Sequence, residues 1–166
     1  MKVNVPLENG YLPDLYGKYS SKMKNEKPVV SFPIEFLDIP ENTQSVALVF
    51  SDPDSIPVCG FEWIHWTVAN LDPNISSLKE NASQEDSSLI QGKNSSASPL
   101  ISNGDEPFTE GYNGPMPPDK DHNYVLKVYA LDEKLDIKQG FWLNKLINKS
   151  RDHIIDSSEL VLLSRA

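Results

Sequence analysis

Residues 46–66 read VALVFSDPDSIPVCGFEWIHW. The opening run, Val46 to Phe50, is continuously apolar, which predicts a strand buried on both faces. It delivers the chain into Asp52-Pro53-Asp54, a proline-stiffened turn that carries two carboxylates and is followed by Pro57. Ile64 to Ala69 reads as the next strand. Side chains alternate along a strand, so Trp63 and His65 are expected on one face and Ile64 and Trp66 on the other. Trp63 then forms a pocket wall and Trp66 joins the core. Asp52, at the end of the first strand, is expected to partner His65, because a carboxylate beside an imidazole fixes its tautomer and raises its pKa. Two blander readings stand beside these. Asp54 can serve its own turn by bonding backbone, and His65 can be a core residue satisfied by a carbonyl.

Outward from this stretch the signals are mostly those of strands. Val29 to Phe36 is apolar but holds Pro33, which suits an edge or an interrupted strand. Tyr124 to Leu131 is rich in β-branched and aromatic residues, and Glu159 to Leu163 reads as a short last strand. Leu143, Leu146, Ile147, Ser150 and Ile154 recur at three- and four-residue spacing, which predicts one helix over 143–155. It would carry His153 as a solvated surface residue. Residues 72–110 are dense in Ser, Asn, Asp and Glu, and the stretch 74–104 reads as a long loop, functional or mobile. The chain is expected to be mainly β, an antiparallel β-sandwich with a peripheral helix, forming a single domain over residues 1–166.

A second polar cluster lies at Gly111-Tyr112-Asn113-Gly114-Pro115-Met116-Pro117-Pro118, followed by His122 and Tyr124. Strand alternation puts His122 and Tyr124 on one face. The glycines allow backbone N–H groups to approach a ligand, and N–H groups of residues 111–116 with imidazole donors suit an anion.

Composition narrows the function. The chain has 166 residues and a net charge of −9, which argues against nucleic acid and against attraction to anionic lipid surfaces. Lys18, Lys22, Lys24 and Lys27 cluster against that trend and read as a solvated basic loop. Cys59 is the single cysteine, so no internal disulfide can form, and it reads as a buried spectator. The N-terminal residues lack an apolar leader core and the longest apolar run is far too short for a bilayer, which predicts a cytoplasmic protein without stable membrane insertion. Asp52, His65 and His122 are acceptable zinc ligands, but their spacing matches no metal motif, and no metal or cofactor is expected. No Gly-x-Ser-x-Gly elbow occurs. A hydrolase using a His/Asp pair is therefore the secondary reading, and no catalytic residue is assigned.

Asp52-Pro53-Asp54 with Pro57, Glu62-Trp63-x-His65-Trp66, Gly111-Tyr112-x-Gly114-Pro115-x-Pro117-Pro118 and His122-x-Tyr124 together resemble the phosphatidylethanolamine-binding protein family, also called Raf kinase inhibitor-like. The spacing is closest to its prokaryotic branch, and the similarity runs from about Pro28 to Arg165. The resemblance implies two packed antiparallel sheets and a small pocket for phosphate-like anions or a phosphoethanolamine head group. It carries pocket positions onto Asp52, Trp63, His65, Gly114, Pro115, His122 and Tyr124. It gives Asp54 and Pro57 to the turn that shapes the pocket and Tyr112 to its rim. It further implies a non-enzymatic binding or regulatory protein, acting on a kinase or another protein partner. Dimerisation is common in the prokaryotic branch, which adds a second copy of the chain to the implied partners. The sequence departs from the family pattern at Asp119-Lys120-Asp121, where added negative charge is expected to weaken anion binding near His122.

Overall fold

The run Val46–Phe50 lies at the centre of the molecule. The computed structural model describes residues 1–101 and 108–166. Among them the strands are β1 (Lys2–Asn4), β2 (Met23–Lys24), β3 (Lys27–Pro28), β4 (Ile34–Leu37), β5 (Ser45–Asp52), β6 (Trp63–Leu71), β7 (Ser77–Leu78), β8 (Ile90–Gln91), β9 (His122–Leu131) and β10 (Ile154–Ser164). The α-helical segments are α1 (Ile56–Cys59), α2 (Ala82–Glu85) and α3 (Leu143–Ser150). One sheet runs in the order β10-β9-β5-β6-β8, a smaller one β1-β4-β7, and β2-β3 forms a hairpin. All pairings between these strands are antiparallel.

Every residue of β5 is buried, as the apolar run requires. Its two faces serve two cores. Val46, Leu48 and Phe50 point inward with Trp66, Val68, Leu126 and Val128, and meet Val3, Phe32, Ile34 and Phe36 of the smaller layer. Ala47 and Val49 point outward under Leu135, Ile137, Phe141 and Leu146. The outward cluster is roofed by α3, whose buried positions are Leu146 and Ser150. The result is the mainly β sandwich with a peripheral helix that the residue pattern predicts.

Three elements differ from expectation. The strand expected over Val29–Phe36 is strand only from Ile34, although Val29 to Phe32 are buried. Pro33 cannot donate to a ladder, and Ser31 is engaged elsewhere, its carbonyl accepting from Asn81 N–H at 2.8 Å and its hydroxyl from Ser83 N–H at 3.1 Å. The helix expected over 143–155 ends at Ser150. Ile154 falls on the helical repeat but pairs with Leu131, and β10 then follows β9 to Ser164↔His122. The long partner strand supplies a template that local periodicity does not register. His153 accordingly sits in the turn between α3 and β10 rather than in a helix.

The polar stretch after residue 72 is built rather than loose over its described part. It contains β7, α2 and β8. Gln91 anchors it, its side-chain carbonyl accepting from Trp66 Nε1 at 2.8 Å and from the Ser83 hydroxyl at 2.7 Å. Residues 102–104 of the expected loop lie outside the described residues.

Candidate functional site

The inner faces of the three central strands all turn polar at the same end. There β5 finishes at Asp52, β6 begins at Trp63 opposite it, and β9 begins at His122. Asp52, Trp63, His65, Gly114, His122 and Tyr124 line a pocket of about 320 Å³ at this end.

A register shift sets the placement of His65. Phe50 pairs with Trp66, but Ser51 pairs with Ile64, so β6 carries one extra residue at His65. Such a bulge suspends strict alternation. Both neighbours therefore turn toward the inner aromatic cluster. Trp66 packs edge-on to Tyr112 at 5.6 Å, and His65 lies 5.7 Å from Phe50 and edge-on to Tyr124 at 5.1 Å. Trp66 is in the core as expected, though not on the opposite face from His65.

Asp52 does not partner His65. His65 donates from Nδ1 to the carbonyl of Asn113 at 2.5 Å, and its Nε2 has no hydrogen-bond partner among the described residues. Burial drives its pKa down to about 4, so it faces the pocket as a neutral acceptor. Asp52 instead accepts from His122 Nδ1 at 2.8 Å, while Asp119 accepts from His122 Nε2 at 2.9 Å. Burial pushes the His122 pKa down, but the hydrogen bonds it donates to Asp52 and Asp119 outweigh it and raise the net value. His122 lowers the Asp119 pKa through the same hydrogen bond. A carboxylate at each ring nitrogen favours the doubly protonated imidazolium form of this buried ring.

Ser55 ties the turn together. Its N–H donates to Asp52 Oδ1 at 3.1 Å; its hydroxyl lies 2.6 Å from the Asp52 carbonyl and 2.8 Å from that of Phe61, and it accepts from Trp63 N–H at 2.9 Å. Residues 52–63 thereby close on themselves, with Gly60 taking the left-handed φ of 91° after α1. Asp54 faces away from the pocket and accepts from Asn123 N–H at 2.8 Å, which pins the turn to β9 and lowers the Asp54 pKa. Pro57 sits early in α1, which presents Val58 and Cys59 to the pocket mouth.

Several expectations are corrected here. Tyr112 is not at the rim: it is fully buried in the core, its hydroxyl donating to the Tyr16 carbonyl at 2.7 Å. Pro115 is buried and does not line the pocket. Within the glycine loop, the N–H groups of residues 111–114 are not free for an anion. Gly111 donates to Gly92 O, Tyr112 to Ser83 Oγ, Asn113 to His65 O and Gly114 to Pro28 O. Gly114 is needed for a different close approach, since a Cβ there would stand 2.3 Å from the Tyr16 carbonyl. Cys59 is exposed rather than buried. Sequence reasoning missed Ser55, Asn113, Met116, Pro118 and Lys27, all of which line the pocket. Ser55 had a signal, because an Asp accepting from the N–H three residues on is ordinary capping chemistry. Lys27 had none, being separated from the other pocket residues in sequence.

Among the described residues no group of three or more His, Cys, Asp or Glu is arranged to hold a metal ion. No helix among them is long and apolar enough to cross a membrane.

The chain has clear relatives in sequence and in fold. Residues 3–165 match the sequence profile of the phosphatidylethanolamine-binding protein family. The chain is 50% identical over 167 residues to YxkA of Bacillus subtilis, an uncharacterized protein, covering 98% of this chain and 99% of that one. It is 36% identical over 135 residues to a UPF0098 protein of Chlamydia pneumoniae, covering 80% of each. Its structure superposes with a TM-score of 0.80 on a Chlamydia trachomatis homologue of phosphatidylethanolamine-binding protein, at 29% identity and covering 99% and 97% of the two chains. The fold is shared also with Escherichia coli YbcL, at a TM-score of 0.77 and 23% identity, over 99% and 98% of the two chains. The chain is a member of the phosphatidylethanolamine-binding protein family.

Proposed function

We propose that this protein is a non-enzymatic binding module whose pocket takes a small phosphoryl-bearing ligand, free or displayed on a protein partner such as a kinase. The observation that carries this reading is a head-group-sized pocket that combines charges of both signs with an unpartnered acceptor on a largely buried histidine. Asp52 and Asp119 supply negative charge around the His122 imidazolium, and His65 Nε2 is open to a donor. A zwitterion such as phosphoethanolamine, or a phosphomonoester carrying one proton, offers donors and an anion together and matches that pattern. The doubly ionised phosphate monoester matches it less well, because at neutral pH His65 carries no charge and His122 is already neutralised.

The same geometry weighs against a hydrolase. Both ring nitrogens of His122 lie on carboxylates, which leaves neither to take a substrate proton. His65, with a pKa of about 4, is a weak base at neutral pH. The Ser55 hydroxyl is spent on backbone groups.

The test is an NMR titration of the histidine side chains with phosphate and with phosphoethanolamine. His65 is expected to shift saturably, His122 to follow, and His153 to stay fixed. Should His65 and His122 ignore both ligands, the binding reading fails. Turnover of a phosphate ester that disappears in His65→Ala would replace it with the hydrolase.

A further inference from the structure

The basic cluster at residues 18–27 reads in sequence as a solvated loop, but the fold delivers its last member to the pocket. Lys27 lines the cavity. It belongs to the β2–β3 hairpin, where Lys24 pairs with Lys27 across a turn in which Asn25 and Glu26 both take left-handed φ, 46° and 61°. That is the geometry of a two-residue hairpin turn, which fixes register. The hairpin is bolted to the glycine loop. Pro28 O accepts from Gly114 N–H at 2.8 Å, and a Cβ on Gly114 would stand 3.0 Å from the Pro28 ring. Beside it, Lys18 Nζ donates to the Pro117 carbonyl at 3.1 Å. The backbone carrying Lys27 is therefore held against the pocket wall, not left to solvent.

The anion donors that the sequence offers within residues 111–114, and both pocket histidines, are already engaged. The N–H groups of residues 111–114 are bonded within the protein. His122 is committed to Asp52 and Asp119, and His65 gives its proton to Asn113. Lys27 is the one lysine or arginine lining this pocket among the described residues, and it has no ion-pair partner among them.

We infer that Lys27 is the anion-recognition residue of the pocket: its ammonium binds the phosphoryl oxygens of the ligand, while the ligand's donors turn toward His65 Nε2 and the Asp52 side. This rests on the proposed phosphoryl-binding function and deepens it. A pocket cationic at its hairpin wall and anionic at its sheet wall orients a zwitterion in one direction. The lysine comes from outside the motifs that mark the family in this sequence.

Calorimetric titration of phosphate and phosphoethanolamine into the full chain tests this. Lys27→Gln is expected to weaken both ligands by about tenfold or more, the usual worth of a charge-assisted hydrogen bond. Lys27→Arg should keep most of the affinity. Lys22→Gln, immediately before the same hairpin and away from the pocket lining, should match wild type. Added salt should weaken wild type more than Lys27→Gln. An unchanged His65 resonance in ligand-free Lys27→Gln shows that the fold is intact. Wild-type affinity in Lys27→Gln overturns the inference while leaving the pocket reading standing. If wild type itself binds neither ligand, both fall together. Vesicles of phosphatidylethanolamine added as competitors separate the two sources of the head group. Competition that Lys27→Gln abolishes points to a lipid, and absence of competition points to a soluble phosphoryl compound. Competition that Lys27→Gln leaves intact counts against Lys27.

Discussion

β9 has an imidazole bracketed by two carboxylates at each of its ends. At its start His122 sits between Asp52 and Asp119, at 2.8 and 2.9 Å. Just past its finish His153 sits between Asp132 and Glu133, at 3.0 and 3.1 Å. The chemical groups and distances nearly coincide, and the surroundings do not. The His122 side chain is 1% exposed and the Asp52 side chain 5%, with only Asp119 reaching solvent at 51%, whereas the His153 side chain is 34% exposed and both of its partners more so. The first triad borders a pocket and the second faces solvent. Residue types and spacing are thus insufficient to mark a site. Exclusion of water gives a charge cluster its energetic weight and makes its geometry consequential.

The largest expected effect follows from removing the buried partner of His122. Asp52→Ala leaves the imidazolium short of its buried partner and also removes the acceptor for Ser55 N–H. Breaking a buried pair in this way typically costs about 3–5 kcal/mol. Urea unfolding should show that loss for Asp52→Ala and under about 1 kcal/mol for Asp132→Ala, since exposed pairs contribute little. Equal losses at the two ends would dissolve the comparison.

Next in size is the pH dependence at the pocket end, where the two histidines act with opposite sign. The His65 pKa is held at about 4 against an ordinary 6.5. Its burial favours the neutral form, so the folded state loses stability as pH falls from 6.5 toward 4, by about 3 kcal/mol in all. The His122 pKa is raised, so its contribution is complete below 6.5 and is lost as pH climbs through the raised value. Unfolding midpoints measured from pH 4 to pH 9 should therefore decline on both sides of neutrality. His65→Gln should flatten the acid limb and spare the alkaline one. An acid limb that survives His65→Gln would assign that instability to another group.

What the sequence made legible follows the same division between local pattern and tertiary surroundings. The sandwich was legible because Val46–Phe50 and Tyr124–Leu131 carry unbroken strand character and pair with each other in the centre of the sheet. The end of the sheet where the site lies was legible because Asp52, Trp63 and His122 all fall at strand ends. The pairing within the site was not. One extra residue at His65 redirects that side chain to Asn113, and no propensity scale registers a bulge. Asp119 reads in sequence as a departure that weakens anion binding, yet its solvent-facing carboxylate caps the buried His122 ring. Tyr112 and Lys27 were misread for one shared reason: exposure is decided by which segment packs alongside. Phe32, Phe50 and Trp66 enclose Tyr112, and the Gly114–Pro28 contact draws Lys27 inward.

The smallest expected effect is the one that sharpens the comparison most. His153→Ala removes both contacts of the exposed triad, but the backbone there is held independently, Asp132 N–H donating to the His153 carbonyl at 3.0 Å and His153 N–H to the Ser150 carbonyl at 2.9 Å. Alanine preserves both of those bonds. The turn from α3 into β10 should therefore persist, with a stability change within about 0.5 kcal/mol that fades further in salt. Phosphate and phosphoethanolamine affinities should be those of wild type, because the pocket lies at the opposite end of β9. A loss above about 1 kcal/mol would mean that solvent-facing imidazole–carboxylate clusters in this fold carry structural weight after all. Burial would then not be what separates the two ends of the strand, and the argument for the pocket would have to rest on Lys27 and His65 alone.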